Sequence, residues 1–168
     1  TSAAAFQSEE TGLVDMVADE ASILAQIRQL VAILPANNED LALDDCTDDL
    51  NRACADIANC VGDTSIALSQ IADNGVFVEV KQNYAKSMVV GFMKLNGATV
   101  GAVANRTEVY NEDGEVAEKF DAVLSARGAE KAAEFITFCD AFDIPVLSLT
   151  NVKGFAATQC AEKRMAKA

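Results

Sequence analysis

The chain contains no histidine and no tryptophan. The missing histidine excludes a Ser-His triad, imidazole acid/base chemistry and any His-based metal site in this chain. Cations are scarce as well: 13 Lys and Arg face 26 Asp and Glu, for a formal net charge of −13. Nucleic-acid binding depends on neutralising phosphates with Lys and Arg, so no nucleic-acid partner is expected. A strongly acidic balance is the ordinary mark of a soluble protein, and a cytoplasmic location is expected. No apolar run approaches the roughly 20 residues that a membrane-spanning helix needs. Residues 1–12 lack the basic-then-apolar order of a signal peptide. An initiator methionine is absent and the chain opens in mid-pattern, so a fragment or a processed product is expected.

Cysteine is present but unpatterned. Cys46, Cys54, Cys60, Cys139 and Cys160 make an odd count with no C-x-x-C spacing. Reduced thiols are the expected state, ahead of a zinc or redox site. The acidic stretch 37–49, N-N-E-D-L-A-L-D-D-C-T-D-D, lacks the glycine and terminal Glu of a calcium loop. It reads as a solvated linker at a domain boundary, and no metal is expected.

What the chain does have is apolar bulk. Hydrophobic residues make up 51% of 168, enough for the core of one domain, or one and a part. The stretch 144–155, I-P-V-L-S-L-T-N-V-K-G-F, holds a short apolar run, Val146, Leu147 and Leu149, ahead of a glycine loop 151–154. Such a run reads as a parallel strand covered on both faces. Ligands of open α/β folds bind beyond the carboxyl ends of such strands, so the loop is the first place to look for chemistry.

The other elements follow from spacing. Asp15 or Asp19 offers an N-cap for a helix to Leu34, in which Ile23, Leu24, Ile27, Leu30 and Val31 form one stripe and which Pro35 ends. A short helix is expected from Asp48 or Asp49 to Cys60, broken by Val61-Gly62-Asp63, and another over 64–72, ended by Asn74-Gly75. Residues 76–80 alternate as a strand. Asn96-Gly97 between the β-rich runs 87–95 and 98–105 predicts a type I′ hairpin. Gly91 and Gly101 inside those runs predict close approach of a neighbour. A turn is expected at 111–114, then a helix from Ser125 or Gly128 to Phe142 with Ala132, Phe135, Ile136 and Cys139 close to one face, and a last helix over 156–168. The alternation makes the fold class α/β.

Several of these stretches resemble, in register, the carboxyltransferase (beta-type) subunit of biotin-dependent acyl-CoA carboxylases and decarboxylases. Residues 8–19 resemble its segment H-x-x-x-T-G, with Gln7 or Ser8 at the histidine place. Leu34-Pro35-Ala36-Asn37-Asn38 is similar to L-P-S-N-N, and 71–80 to I-x-D-x-G-x-F-x-E-V. Residues 84–92 and 96–105 resemble Y-A-K-N-I-V-x-G-F and N-G-x-x-V-G-x-V-A-N. Residues 131–155 resemble K-A-A-x-F-I-x-F-C-D-A-F-x-I-P-x-x-x-L-x-D-V-P-G-F.

The resemblance implies a partial crotonase-like ββα superhelix, with a preceding helix from a first crotonase-like half. It implies that 1–36 end an N-terminal carboxyltransferase domain, that 37–49 link, and that 50–168 begin the C-terminal domain. The implied activity moves a carboxyl group between carboxybiotin and an acyl-CoA of the acetyl-, propionyl-, methylmalonyl- or glutaconyl-CoA class. Backbone amides would hold the developing oxyanions, so no side-chain catalyst is named. Gly154, Phe155 and Ala156, with Lys153 and Asn151, become the biotin-pocket loop, and Tyr84 and Asn105 are secondary candidates. Asn151 stands where the family has aspartate and Lys153 where it has proline, which points to a divergent, decarboxylase-type branch. Implied partners are a biotin carboxyl carrier protein or domain, biotin carboxylase or membrane decarboxylase subunits, and further copies of the chain. Two alternatives stand beside this reading. One is an inactive structural or oligomerisation unit. The other is a stand-alone crotonase-type hydratase or isomerase using Glu79, Glu130 or Glu134.

Overall fold

The computed structural model of the chain describes residues 3–41, 43–60, 62–111 and 113–168. Thr1, Ser2, Ala42, Val61 and Glu112 lie outside them, and with them the expected helix break at Val61 and the Glu112 position of the expected turn. In chain order the elements begin with α1 (Ala4–Phe6), which runs into a π-helical turn (Gln7–Thr11), and α2 (Glu20–Ile33). A 3₁₀ turn (Ile57–Cys60), α3 (Thr64–Ile71) and the strands β1 (Phe77–Val80), β2 (Met88–Leu95) and β3 (Ala98–Asn105) follow. Then come β4 (Glu108–Tyr110), β5 (Val116–Lys119), β6 (Val123–Leu124), α4 (Ala126–Ala141), β7 (Val146–Leu149), β8 (Gly154–Phe155) and α5 (Gln159–Met165).

A four-stranded sheet carries the fold, in the order β1-β2-β3-β7, with β7 parallel to β3 and the other pairs antiparallel. The β2–β3 hairpin forms where the sequence predicts it. Asn96 and Gly97 both take positive φ, 51° and 78°, as a type I′ turn requires. Six consecutive residues of β2, from Met88 to Met93, are buried, because the sheet is covered on both faces there. Met88, Val90 and Phe92 face Ile33 of α2 and Phe135 and Cys139 of α4. Val89 and Met93 face Leu68 of α3 and Ala72 just after it. Gly91 is buried against the facing strand: a Cβ there would lie 2.4 Å from the Val78 carbonyl oxygen.

Helix boundaries follow their caps. Asp19 accepts from the amides of Ala21 and Ser22 to start α2, Asp63 from Ser65 to start α3, and Ser125 from Gly128 to start α4. The acidic stretch is tied down. The Asp44 amide donates to the Gly97 carbonyl at 3.0 Å, and Asp44 pairs with Lys94. The Asp48 carboxylate accepts from the Asn74 amide at 2.9 Å and from Arg52 at 2.8 Å. Asp73 closes the arrangement by accepting from the amides of Asn96 and Gly97 at the hairpin tip, at 2.9 and 2.7 Å.

Several expectations are corrected. Residues 146–149 are not covered on both faces: among the described residues β7 is the sheet's edge, and its residues are exposed or half-buried. No helix runs from Asp48 or Asp49 to Cys60; only Ile57–Cys60 turn, as a 3₁₀ helix, and Arg52 instead turns its guanidinium onto the carbonyls of Gln70 and Ala72 at the end of α3. The last helix is shorter than 156–168, because Thr158 is its N-cap. The stripe on α2 is only partly buried, with Leu24, Ile27 and Val31 exposed. Ile136 of α4, placed with the apolar face, is 44% exposed. The β4–β5 hairpin adds to the expected elements; its strands are short and none of their residues is buried.

Candidate functional site

One end of the sheet collects the segments of interest. β1 and β3 end there and β2 begins there, with Val80 opposite Val90 and Met88 opposite Asn105. β7 ends there too, with Leu149 opposite Ala104. The β1–β2 connection 81–87, the Asn105–Arg106 step and the segment 150–156 therefore leave the sheet together. This end includes Tyr84, Asn105 and the expected loop, and it is the carboxyl end of the parallel pair.

The expected loop is less free than its sequence suggests. Asn151 and Lys153 are exposed. The Lys153 amide donates to the Ala122 carbonyl at 2.7 Å, and the Ala156 amide to that of Leu124 at 2.9 Å. Between them Gly154 and Phe155 pair with Val123 and Leu124 as a short parallel strand. So Gly154 is a strand residue with negative φ, not a turn glycine. No atom lies within 4 Å of the place where a Cβ would stand on Gly154. Phe155 is 68% exposed. The segment thus offers an open strip of backbone beside an exposed aromatic ring. Behind it α5 is fastened to α4 through Arg164, whose Nε donates to Glu130 at 2.7 Å.

Tyr84, within the β1–β2 connection, is buried. Gly12 lies flat on its ring, and the Arg127 guanidinium sits 5.9 Å from the ring centroid. Asn105 is half-buried at the end of β3.

The strongest electrostatic feature of this end went unremarked in the sequence. Arg106 and Lys131 are both buried, at 6% and 1% exposure. Arg106 lies 3.1 Å from each oxygen of Glu79 and 3.5 Å from Asp63, and its Nε donates to the Lys86 carbonyl at 2.5 Å. Lys131 Nζ donates to three carbonyls, those of Lys81 and Tyr84 at 2.8 Å and that of Met88 at 2.6 Å. Burial pushes the Lys131 ammonium down to about 7, with the Glu79 carboxylate pulling the other way. Burial likewise pushes the Glu79 carboxyl up, against the Arg106 guanidinium and the Lys131 ammonium. A signal was available: Lys131 precedes Phe135 and Cys139 at four-residue steps, which puts it on the buried stripe of α4. Glu79 gave no such signal: it alternates with the core residues Val78 and Val80 and so lies on the other face of β1, with Phe77.

The three glutamates considered for a hydratase site are not brought together. Glu79 faces Arg106 and borders a cleft of about 320 Å³ between α2, α3 and β1, with Gln26, Gln29, Ser65 and Phe77. Glu134 pairs with Lys81 at 2.7 Å over a second cavity of about 320 Å³, walled by Leu30, Phe92, Phe135 and Phe138. Glu130 is held by Arg164. Among the described residues, no three His, Cys, Asp or Glu side chains are grouped to hold a metal ion.

Comparison with known proteins gives one consistent result. The profile described as "Carboxyl transferase domain" matches residues 2–165. The propionyl-CoA carboxylase beta chain of Roseobacter denitrificans is 34% identical over 145 residues, 82% of this chain and 26% of that protein. The methylmalonyl-CoA decarboxylase subunit alpha of Veillonella parvula is similar to the same degree: 34% over 145 residues, 82% of this chain and 26% of that protein. The chain thus spans about a quarter of the length of these curated relatives. Among solved structures, transcarboxylase 12S, described as a hexamer with methylmalonyl-coenzyme A bound, superposes with a TM-score of 0.80 at 29% identity. That superposition covers 98% of this chain and 33% of the other.

Proposed function

The chain belongs to the carboxyl transferase domain family, and from that premise we propose that it forms part of a site moving a carboxyl group between carboxybiotin and an acyl-CoA. The observation that carries this reading is the family match across 2–165 together with the fold shared over nearly the whole chain. The acyl-CoA would be of the acetyl-, propionyl-, methylmalonyl- or glutaconyl-CoA class, the second and third of which figure in the relatives' names. On this reading 1–36 end one carboxyltransferase domain, 37–49 link, and 50–168 begin the next.

The chemistry asks for little from side chains. Release of the carboxyl group puts negative charge on the ureido oxygen of biotin, and uptake starts from an acyl-CoA enolate. Backbone N–H groups aimed at such oxygens are worth roughly 3 kcal/mol each. Lys153 and Ala156 donate to the facing strand and Gly154 pairs with it; because residues two apart in a parallel ladder, here Gly154 and Ala156, bond on the same side, the Phe155 N–H is the one turned away, and within this segment the role falls to it. Biotin would arrive on a carrier protein or domain, itself charged by biotin carboxylase or serving a membrane decarboxylase. The exposed row Leu24, Ile27 and Val31 supports burial against further copies of the chain. Among the described residues no helix is long and apolar enough to cross a membrane, and a cytoplasmic setting is part of the proposal.

The test uses Gly154→Ala in the longer protein carrying this segment. A methyl there meets nothing within 4 Å and needs no positive φ, so stability should be unchanged or slightly raised. Carboxyl transfer from carboxybiotin to propionyl-CoA should nevertheless fall at least about tenfold, because the methyl stands where backbone meets ligand. Unchanged transfer would remove Gly154 from the site. The 168-residue chain alone should show no transfer; measurable turnover would sink the view that it is only part of the site.

A further inference from the structure

Two Asn-Gly dipeptides, Asn74-Gly75 and Asn96-Gly97, lie on either side of Asp73's carboxylate and share one backbone shape. Their φ values are 52° and 71° in the first and 51° and 78° in the second. Their surroundings differ. The Gly97 N–H donates to the Asp73 carboxylate at 2.7 Å, and the Gly97 carbonyl accepts from the Asp44 amide at 3.0 Å. A Cβ on Gly97 would lie 1.9 Å from the Asp44 carbonyl oxygen, so the hairpin tip is walled in. Residues 74–76 are exposed. The Gly75 N–H donates to the uncharged Ala72 carbonyl at 3.0 Å, and the nearest atom to a Cβ there would be the Ser69 carbonyl oxygen, 3.7 Å away.

We propose that Asn74 is a site of spontaneous covalent modification, where the chain converts its own asparagine to aspartate and isoaspartate, while Asp73 and Asp44 protect the same dipeptide at Asn96. The Gly75 nitrogen attacks Cγ of Asn74. The new C–N bond closes a succinimide, the Cγ–Nδ2 bond breaks, and ammonia leaves with the proton that the Gly75 N–H gave up. Water then opens the ring at one carbonyl or the other. The product is aspartate or, with the main chain rerouted through Cβ, isoaspartate. Glycine in second place leaves the attacking nitrogen unobstructed by a side chain. Ring closure also needs that N–H to let go of its acceptor. At Gly75 the acceptor is a neutral carbonyl in an exposed turn. At Gly97 the bond is charge-assisted, and the Asp73 carboxylate disfavours negative charge on the attacking nitrogen.

The conversion bears on the acidic stretch 37–49, because Asn74 is one of its ties. The Asn74 amide donates to the Asp48 carboxylate at 2.9 Å, and its Nδ2 to the Thr47 hydroxyl at 3.2 Å. The product loses the Nδ2 donor and sets a new carboxylate beside that of Asp48, where like charges repel. Conversion therefore loosens 44–49 from the sheet.

The test is incubation of the unmodified chain in mildly alkaline buffer, with peptide mass spectrometry over time. Exchange of ammonia for water raises the mass of the affected peptide, and fragmentation locates the residue and distinguishes isoaspartate. Asn74 should convert at least about tenfold faster than Asn96, the effect expected of one charge-assisted hydrogen bond. In urea the two should convert at similar rates, which assigns the difference to the fold. Asp73→Ala should raise conversion at Asn96. Cleavage within 44–49 by a protease that cuts before aspartate should quicken severalfold as Asn74 converts. In Asn74→Gly, which keeps the positive φ and cannot convert, that cleavage should stay constant with time. Equal rates in the folded chain overturn the proposal, as does conversion first at Asn96, conversion at neither, or a difference that persists in urea. An Asn96 unaffected by Asp73→Ala removes Asp73 as its protector, and cleavage of 44–49 that ignores conversion overturns the loosening.

Discussion

Gly101 and Cys139 offer a measurement of how tightly α4 is pressed on the sheet. Gly101 lies in β3 between Phe92 of β2 and Val146 of β7. A methyl at Gly101 would stand 2.6 Å from the Cys139 sulfur and 3.1 Å from the nearest ring carbon of Phe135. Cys139 is fully buried, so the sulfur has nowhere to go without moving the helix. Gly101→Ala should therefore cost about 1–3 kcal/mol, the usual range for overpacking a close-packed core. Cys139→Ala removes one heavy atom and should cost roughly 1 kcal/mol. In the double variant the new methyl occupies the space the sulfur leaves. Alanine is also a better strand residue than glycine by about 0.5–1 kcal/mol, so the pair should be less harmful than Gly101→Ala alone. The expected coupling is about 1–2 kcal/mol in favour of the double variant. With no tryptophan to report, the assay is urea unfolding followed by far-ultraviolet circular dichroism, with equal m-values as the check on two-state behaviour. Additive costs within about 0.5 kcal/mol, or a harmless Gly101→Ala, would refute the packing argument.

Other expectations concern the buried charges. Arg106→Met should cost about 3–5 kcal/mol, because it strands Glu79 and Asp63 without their cation and frees the Lys86 carbonyl; urea midpoints read it, and a loss below about 1 kcal/mol would contradict it. Stability should also rise with pH between about 7 and 10.5. Lys131 is near 7 when folded and 10.5 when free, so across that window the unfolded chain binds more protons than the folded one. At ~1.4 kcal/mol per unit the gain is up to about 5 kcal/mol, and a Lys131→Met variant should lose that slope in thermal or urea titrations. Glu79 acts with the opposite sign: its raised carboxyl contributes stability below about 4.5 that is lost as pH climbs past its folded value.

The legible parts of this chain are those where local chemistry decides. Asp19 and Ser125 start helices by accepting from amides a few residues on, Pro35 stops one because it has no N–H to donate, and Asn96-Gly97 sets a turn that only positive φ can make. The family resemblance located the segments that meet at one end of the sheet. Tertiary burial is what the sequence concealed. Val146, Leu147 and Leu149 look like a central strand by composition, yet their exposure depends on which neighbours pair with them. Gly154 looks like a turn glycine but lies in a parallel pair whose partner, 123–124, is two residues long and carries no strand signal of its own. Lysine is ordinarily a solvated residue; only the carbonyls of Lys81, Tyr84 and Met88, 43 to 50 residues away, make the burial of Lys131 tolerable. The acidic stretch misleads in the same way, since Asp44 is fixed by Lys94 and Asp48 by the distant Asn74 amide as well as by its near neighbour Arg52.

The pairing of β3 with β7 also sets an order of events. The β2–β3 hairpin closes through adjacent residues, on the microsecond scale typical of hairpins. β7 can join only after Gly101 and Val146 meet across the whole intervening chain, including the β4–β5 hairpin and α4. Loop-closure entropy makes such a contact late to form, and strands held on one side only are among the first to let go. The segment 150–156 hangs from that strand. On the proposed function, the backbone offered to a carboxylated ligand follows the last strand to join the four-stranded sheet, and its ordering is the step to which binding would add most.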